Sequence, residues 1–94
     1  MWSSQTIRCV NRGVSRLPHE RIVNVGGTNP DGSRWKQSQN QTIREIEGGA
    51  WDYYVQAQWR REKITVAIYF GVKYIKADGD ALHPDTLLSL PECP

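Results

Sequence analysis

The stretch VNVGGTNPDGSRW, residues 23–35, decides how the chain is read. It places Gly26, Gly27 and Gly32 around an Asn-Pro-Asp-Gly segment, between two runs that alternate as strands do. A phosphate cradle needs its glycines to open a helix whose N-terminal amides face the anion. Here the glycines follow one strand-like run and lead back into another, with no Gly-Lys-Ser/Thr and no G-x-G-x-x-G entering a helix. Pro30 presets φ for a turn and Gly32 can take positive φ, so the segment reads as the tip of a β-hairpin. The Gly26-Gly27 pair marks a bulge or a close approach of backbone.

Working outward, TIRCVN (6–11) reads as a short strand with Ile7 and Cys9 facing inward. Residues 12–20 form a loop in which Pro18 holds Leu17 extended. RIVNV (21–25) and SRWKQ (33–37) are the arms of the hairpin. A helix follows, opened by a capping box of Ser38 and Gln41 and closed by Gly48-Gly49. Its Ile43 and Ile46 share one face, while Arg44, Glu45 and Glu47 are expected to point to water.

WDYYVQAQW (51–59) then alternates strongly, with Tyr53, Val55, Ala57 and Trp59 on the inward face. KITVAIYF (63–70) places Ile64, Val66, Ile68 and Phe70 inward, and KYIK (73–76) makes a last strand whose lysines suit an exposed edge. The expected architecture is a single α+β domain over residues 1–94, with residues 1–5 disordered. One antiparallel sheet of five or six strands, in the order β-β-β-α-β-β-β, carries one helix packed across it. The tail, 78–94, has no basic residue, yet Leu87, Leu88 and Leu90 need burial, so it is expected to dock on the sheet with one helical turn between Pro84 and Pro91.

Ninety-four residues leave no room for a second core. No apolar run approaches the roughly 20 residues of a membrane span, and the N-terminus lacks the apolar segment of a secretory signal. A cytoplasmic location without membrane contact is the expectation. Charge is unevenly placed: residues 1–44 hold seven Arg or Lys against two acids, and residues 45–94 hold five against eight.

In order and over nearly the whole chain, from Thr6 to Pro94, several segments together resemble a family of small bacterial proteins. They are PHERIVNVGG, NPDGSRWK, the helix end IEGG, YYV, GVKYIKADGD and the terminal LLSLPECP. This is domain-of-unknown-function family 3892. The resemblance implies a single-domain cytosolic bacterial protein and brings no activity with it. Where the family carries Tyr-Leu-Lys-Thr before Ala-Asp-Gly, this chain runs from Lys76 directly into Ala77.

Catalytic signatures are missing. There is no G-x-S-x-G, H-E-x-x-H or Cys-x-x-Cys, and an inward-facing Cys9 without a basic neighbour stays a protonated thiol. DGDALHPD does not satisfy a calcium loop, because Gly79 is misplaced and Ser89 stands where the closing Glu belongs. The aromatic residues are more informative: Arg34 and Lys36 flank Trp35, while Arg60 and Arg61 follow Trp59 near Tyr54. Aromatics among basic side chains on a sheet face stack single-stranded bases; the plain alternative is that a small sheet uses Trp and Tyr for buried area.

The functional expectation is therefore a non-catalytic module binding a macromolecule, nucleic acid ahead of protein, through Arg34, Trp35, Lys36, Tyr54, Arg60 and Arg61. Two alternatives stand beside it: an assembly subunit pairing through an edge strand, and an enzyme or redox protein using Cys9. Burial of the leucine-bearing tail brings Cys93 toward Cys9. Two packed reduced thiols come first among the outcomes, then a zinc site of Cys9, His19 and Cys93, then a disulfide.

Overall fold

The structure, a computed structural model, describes residues 4–17, 20–56, 59–81 and 83–94. Its strands are β1 (Ser4–Ile7), β2 (Cys9–Arg12), β3 (Ile22–Thr28), β4 (Arg34–Ser38), β5 (Asp52–Gln56), β6 (Arg61–Tyr69) and β7 (Val72–Ala77). Helix α1 (Gln39–Glu47) lies between β4 and β5, and α2 (Asp85–Leu88) is a single turn in the tail. The α+β class stands, but the single five- or six-stranded sheet is corrected. Seven strands form two sheets, ordered β1-β5-β6-β7 and β2-β3-β4, and β1 pairs with β5 in parallel.

The difference originates at Arg8. The run read as one strand leaves β5 after Ile7 and joins β3 from Cys9 onward. The break inserts a residue between the two halves, so Ile7 and Val10 face the core and Cys9 does not. A period of two cannot persist across a change of partner. Arg8 still donates its amide to the Gly26 carbonyl (2.8 Å), which stitches β1 to β3 at the crossing. A second irregularity, between Asn11 and Arg12, lets Ile22 and Val25 both point inward at a spacing of three.

The hairpin of residues 23–35 forms as its chemistry dictates. Asn29 donates its amide to Ser33 O, Gly32 donates to Asn29 O, and Gly32 takes φ +88°. Behind the tip, Gly26 and Gly27 are the tightest points of the fold. A methyl group on Gly26 would lie 2.6 Å from the Trp35 carbonyl oxygen and 3.0–3.1 Å from the Cys9 and Cys93 sulfurs. On Gly27 it would lie 2.5 Å from the Thr6 carbonyl oxygen and 2.9 Å from the Trp35 indole nitrogen. The two glycines thus admit neighbours on opposite faces of β3, and they do so as close approaches of backbone.

In α1, Ser38 accepts the Gln41 amide (3.1 Å), and Gly49 takes φ +74° beyond the last turn. Gln39 ties the two sheets together: its side-chain amide donates to Ile22 O of β3 and its oxygen accepts from Ile75 N of β7. The core gathers Ile7, Val10, Ile22, Val25, Tyr53, Val55, Ile64, Ile75 and Ala77 from the sheets, Ile43 from α1 and Leu87 from α2. Tyr74, beside Ile75, is equally buried, so β7 has no solvent face at these two positions.

Three inward assignments fail at strand ends, where the sheet outruns its cover. Trp59 is 90% exposed, Ile68 64% and Phe70 89%. Phe70 (φ +49°) and Gly71 (φ +78°) make a two-residue turn closed by the Tyr69–Val72 pair. Glu45, assigned to water, instead turns inward among hydrogen-bond donors.

Residues 78–94 return to the sheets. Glu92 bridges Val10 in parallel, Val10 N donates to Pro91 O and Cys93 N donates to Val10 O. Arg12 closes the end of α2 by donating to the carbonyls of Leu88 and Leu90, and it pairs with Glu92 at 2.8 Å. Cys93 is joined to Cys9 in a disulfide with Cα atoms 4.9 Å apart, which overturns the ranking of reduced thiols first. No helix among the described residues is long and apolar enough to cross a membrane.

Two outcomes check this packing. Gly26→Ala is expected to destabilise the fold by about 1–3 kcal/mol, because backbone rather than a mobile side chain fills the space; urea unfolding with unchanged stability would refute the pinch. Replacing both cysteines by alanine removes a closure spanning 84 residues, worth roughly 4–5 kcal/mol in the chain-entropy model, so the melting temperature should fall sharply.

Candidate functional site

Residues paired directly across a ladder share a face, which maps the outer surface of the molecule. In the four-stranded sheet, Thr6, Tyr54 and Lys63 stand in line across β1, β5 and β6. Arg61, opposite Gln56, places its guanidinium over the Tyr54 ring, 4.0 Å from the centroid, and reaches Thr6 Oγ1 at 3.4 Å. In the three-stranded sheet, Arg34 lies opposite Thr28, while Lys36, Gly26 and Cys9 stand in line.

Where β1 leaves β3 the two sheets diverge and open a groove of about 490 Å³. Its walls are Ser4, Gln5, Thr6 and Arg8 on one side and Thr28, Asn29 and Pro30 on the other. Gln5 closes its floor by donating to Asn29 Oδ1 (3.1 Å). One arginine lines it and two more adjoin its wall residues. Arg8 lines it, Arg61 touches the wall residue Thr6, and Arg34 pairs with the wall residue Thr28. Among the described residues none of the three is held in an ion pair, whereas Arg12, Arg60, Lys63 and Lys73 each are.

The six residues singled out for a basic-aromatic face therefore separate. Tyr54 and Arg61 come together beside the wall residue Thr6, and Arg34 stands across the ladder from the opposite wall residue Thr28. Lys36 sits on the same side of β4, nearer the disulfide, and donates to Pro94 O at 3.3 Å. Trp35 does not belong: its ring is half-buried, 5.8 Å from Tyr53, and its indole N–H is buried with no partner among the described residues. It anchors the hairpin to the core. Arg60 belongs elsewhere as well. It pairs with Glu62 at 3.5 Å and lines, with Trp59, Gln56, Asp85 and Thr86, a separate open groove beside α2.

Arg8, Thr6 and Thr28 escaped the reading of the sequence. Arg8 is one charge in a short strand, and only the change of partner at that residue turns it into the groove. For the metal set, Cys9 and Cys93 are committed to each other in the disulfide, and His19 lies outside the described residues. Among the described residues no group of three or more His, Cys, Asp or Glu is placed to hold a metal ion. Cys9, as a disulfide sulfur, presents no thiol nucleophile in this state.

A second polar cluster lies beneath α1. Gln37 Nε2 shares its two N–H groups among Thr42, Glu45 and Tyr53 at 2.9–3.0 Å, Tyr53 donates to Glu45 at 2.5 Å, and Gln41 donates to the second Glu45 oxygen at 3.0 Å. Burial pulls the Glu45 carboxyl upward, but the donors Tyr53, Gln41 and Gln37, together with the charge of Arg44, hold it below its ordinary value. Burial, then the bond to Glu45, push the Tyr53 phenol above its ordinary value. With an ionised acceptor and neutral donors, the cluster fastens α1 to β4 and β5.

The signs for stability follow from linkage. Glu45 contributes stability present above pH 4.5 and lost as pH falls below it, and Tyr53 contributes stability present below pH 10 and lost as pH rises beyond it. Thermal melts across pH should show both limbs; Glu45→Gln is expected to flatten the acid limb, and an unaltered acid limb would refute the assignment.

The family of proteins of unknown function DUF3892 matches residues 6–91, and the chain belongs to it. No curated protein and no solved structure matches the chain.

Proposed function

For this member of the DUF3892 family, we propose a non-catalytic binding module that receives single-stranded nucleic acid across the seam between its two sheets. The observation that carries the reading is a groove of polar side chains lined by Arg8, with Arg61 bonded to its wall residue Thr6 and Arg34 across the ladder from its wall residue Thr28, all three without ion pairs among the described residues. Guanidinium groups fork onto phosphate oxygens, and the wall hydroxyls of Ser4, Thr6 and Thr28 supply further donors. Arg61 stacked on Tyr54 forms a flat platform at the groove's side, a surface on which an unpaired base stacks through either its aromatic or its guanidinium plane. The groove is open and lined mainly by polar residues, which suits a flexible strand.

Anisotropy titration of a labelled random oligonucleotide tests this. Binding tighter than about 10⁻⁴ M is expected at low salt, weakening as salt rises with a logarithmic slope near −2 for three phosphates. Arg8→Gln, Arg34→Gln and Arg61→Gln should each lower that slope by roughly 0.7, and Tyr54→Ala should cost about 1–3 kcal/mol. Binding weaker than this limit, or unchanged in the three variants, defeats the reading.

One observation favours protein contact instead. Ile68, Phe70 and Val72 form an exposed apolar tip on the β6–β7 hairpin, where Phe70 occupies a positive-φ position that Asn or Gly adopts at less cost. Pairing through the β7 edge is less favoured, since Gln39 already occupies the Ile75 amide. Light scattering over a concentration series distinguishes self-assembly at this tip, which Phe70→Ser would abolish.

A further inference from the structure

We propose that the Cys9–Cys93 disulfide is a thiol–disulfide exchange site for small anionic thiols, entered through the cavity beside it. The proposal does not depend on the nucleic-acid reading. A closed structural disulfide is walled in on all sides; here both cysteines are half-buried, and both line a cavity of about 220 Å³ together with Arg34, Trp35, Lys36 and Pro94. The cavity has room for a small molecule and is bordered by two cationic side chains.

The charged side chains that line the cavity are both cationic, and Lys36 also donates to Pro94 O at 3.3 Å. Lys36 stands in line with Cys9 across β3, and the residue between them is Gly26, which has no side chain to intervene. Arg34 lies two residues along β4 on the same face. The nearest acid along the chain, Glu92, is held by Arg12 at 2.8 Å and by Asn11 at 3.0 Å. Cationic neighbours attract an anionic thiol and also stabilise the thiolate that leaves.

The exchange balances as two displacements. A thiolate RS⁻ attacks Cys93 Sγ, forming a Cys93–S–S–R mixed disulfide and expelling Cys9 Sγ as a thiolate facing Lys36. A second RS⁻ attacks the R-bearing sulfur, releasing RSSR and the Cys93 thiolate. Two small thiols are oxidised to one disulfide, the protein disulfide gains two electrons, and the protons of the two thiols pass through solvent to the protein sulfurs. Glycine at position 26 is then required twice, for the approach of the sulfurs and for the open line to Lys36.

The test follows reduction of the folded protein by 3-mercaptopropionate and by neutral 2-mercaptoethanol at equal thiolate concentration. Free thiols and mixed disulfide are read by mass spectrometry, and each rate is normalised to that thiol's rate on a small-molecule disulfide. The anionic thiol should react about tenfold faster at low salt, with the preference fading as salt rises. Arg34→Gln/Lys36→Gln, both exposed positions, should erase the preference, slowing the anionic thiol far more than the neutral one, which loses only the stabilisation of the leaving thiolate. Equal rates for the two thiols, a preference that survives the double variant, or reduction that occurs only as fast as global unfolding would overturn the proposal.

Discussion

Everything in this chain depends on how closely backbone can approach backbone at Gly26 and Gly27. On one face of β3 the absence of a side chain admits the two sulfurs; on the other it admits the Trp35 indole and the Thr6 carbonyl. Those neighbours come from β1, β2, β4 and the tail, so one dipeptide sets the distance between both sheets and the end of the chain. The amide bond from Arg8 to Gly26 O lies at the same point, and it is where the first strand changes partner. A side chain here would separate the sheets and leave residues 4–9 without a consistent register.

The rest of the structure manages what that crossing leaves open. Two sheets that diverge on one side must be held on the other, and Gln39 does this with one side chain, hydrogen-bonded to the carbonyl that opens β3 and to an amide of the edge strand β7. Arg12 performs the matching task for the tail by satisfying carbonyls at the end of α2 that a one-turn helix cannot pair internally. Beneath α1, Glu45 is tolerated inside because Tyr53, Gln37 and Gln41 all donate to it. Side-chain amides and a guanidinium therefore do much of what a larger apolar core does in a longer chain.

The groove is a consequence of the same geometry. Strands that stay paired leave no gap between them; β1 parts from β3 because Ser4–Ile7 pairs with β5, and Thr28–Pro30 runs on into the hairpin tip. Arg8 sits at the vertex of that parting. Arg34 and Arg61, 27 positions apart in sequence, reach its two sides through the Thr28 and Thr6 pairings. The disulfide lies a short way along the same outer surface, beside Lys36, so the charge that surrounds the groove continues to the sulfurs.

The sequence by itself determined the local features: the hairpin tip at residues 29–32, the Ser38 cap and its helix, the alternation of Tyr53, Val55 and Ile64, and the need of Leu87 for cover. Each depends on residues within a few positions of one another, through turn chemistry, an orphaned amide or a period of two. Arg34, Tyr54 and Arg61 were legible as basic and aromatic residues in strands, but not as neighbours. The approach of Cys93 to Cys9 was legible in the leucine-bearing tail, but tertiary structure alone decided that TIRCVN divides between two sheets, that Cys9 turns outward and is bonded to Cys93 rather than packed beside it as a thiol, that Trp35 anchors the core and Trp59 does not, and that Arg8 lines the groove. These outcomes depend on which strand pairs with which and on how far cover extends along it. A pattern of alternating side chains carries no information about the partner across the ladder, and a burial pattern stops being reliable where the covering elements end.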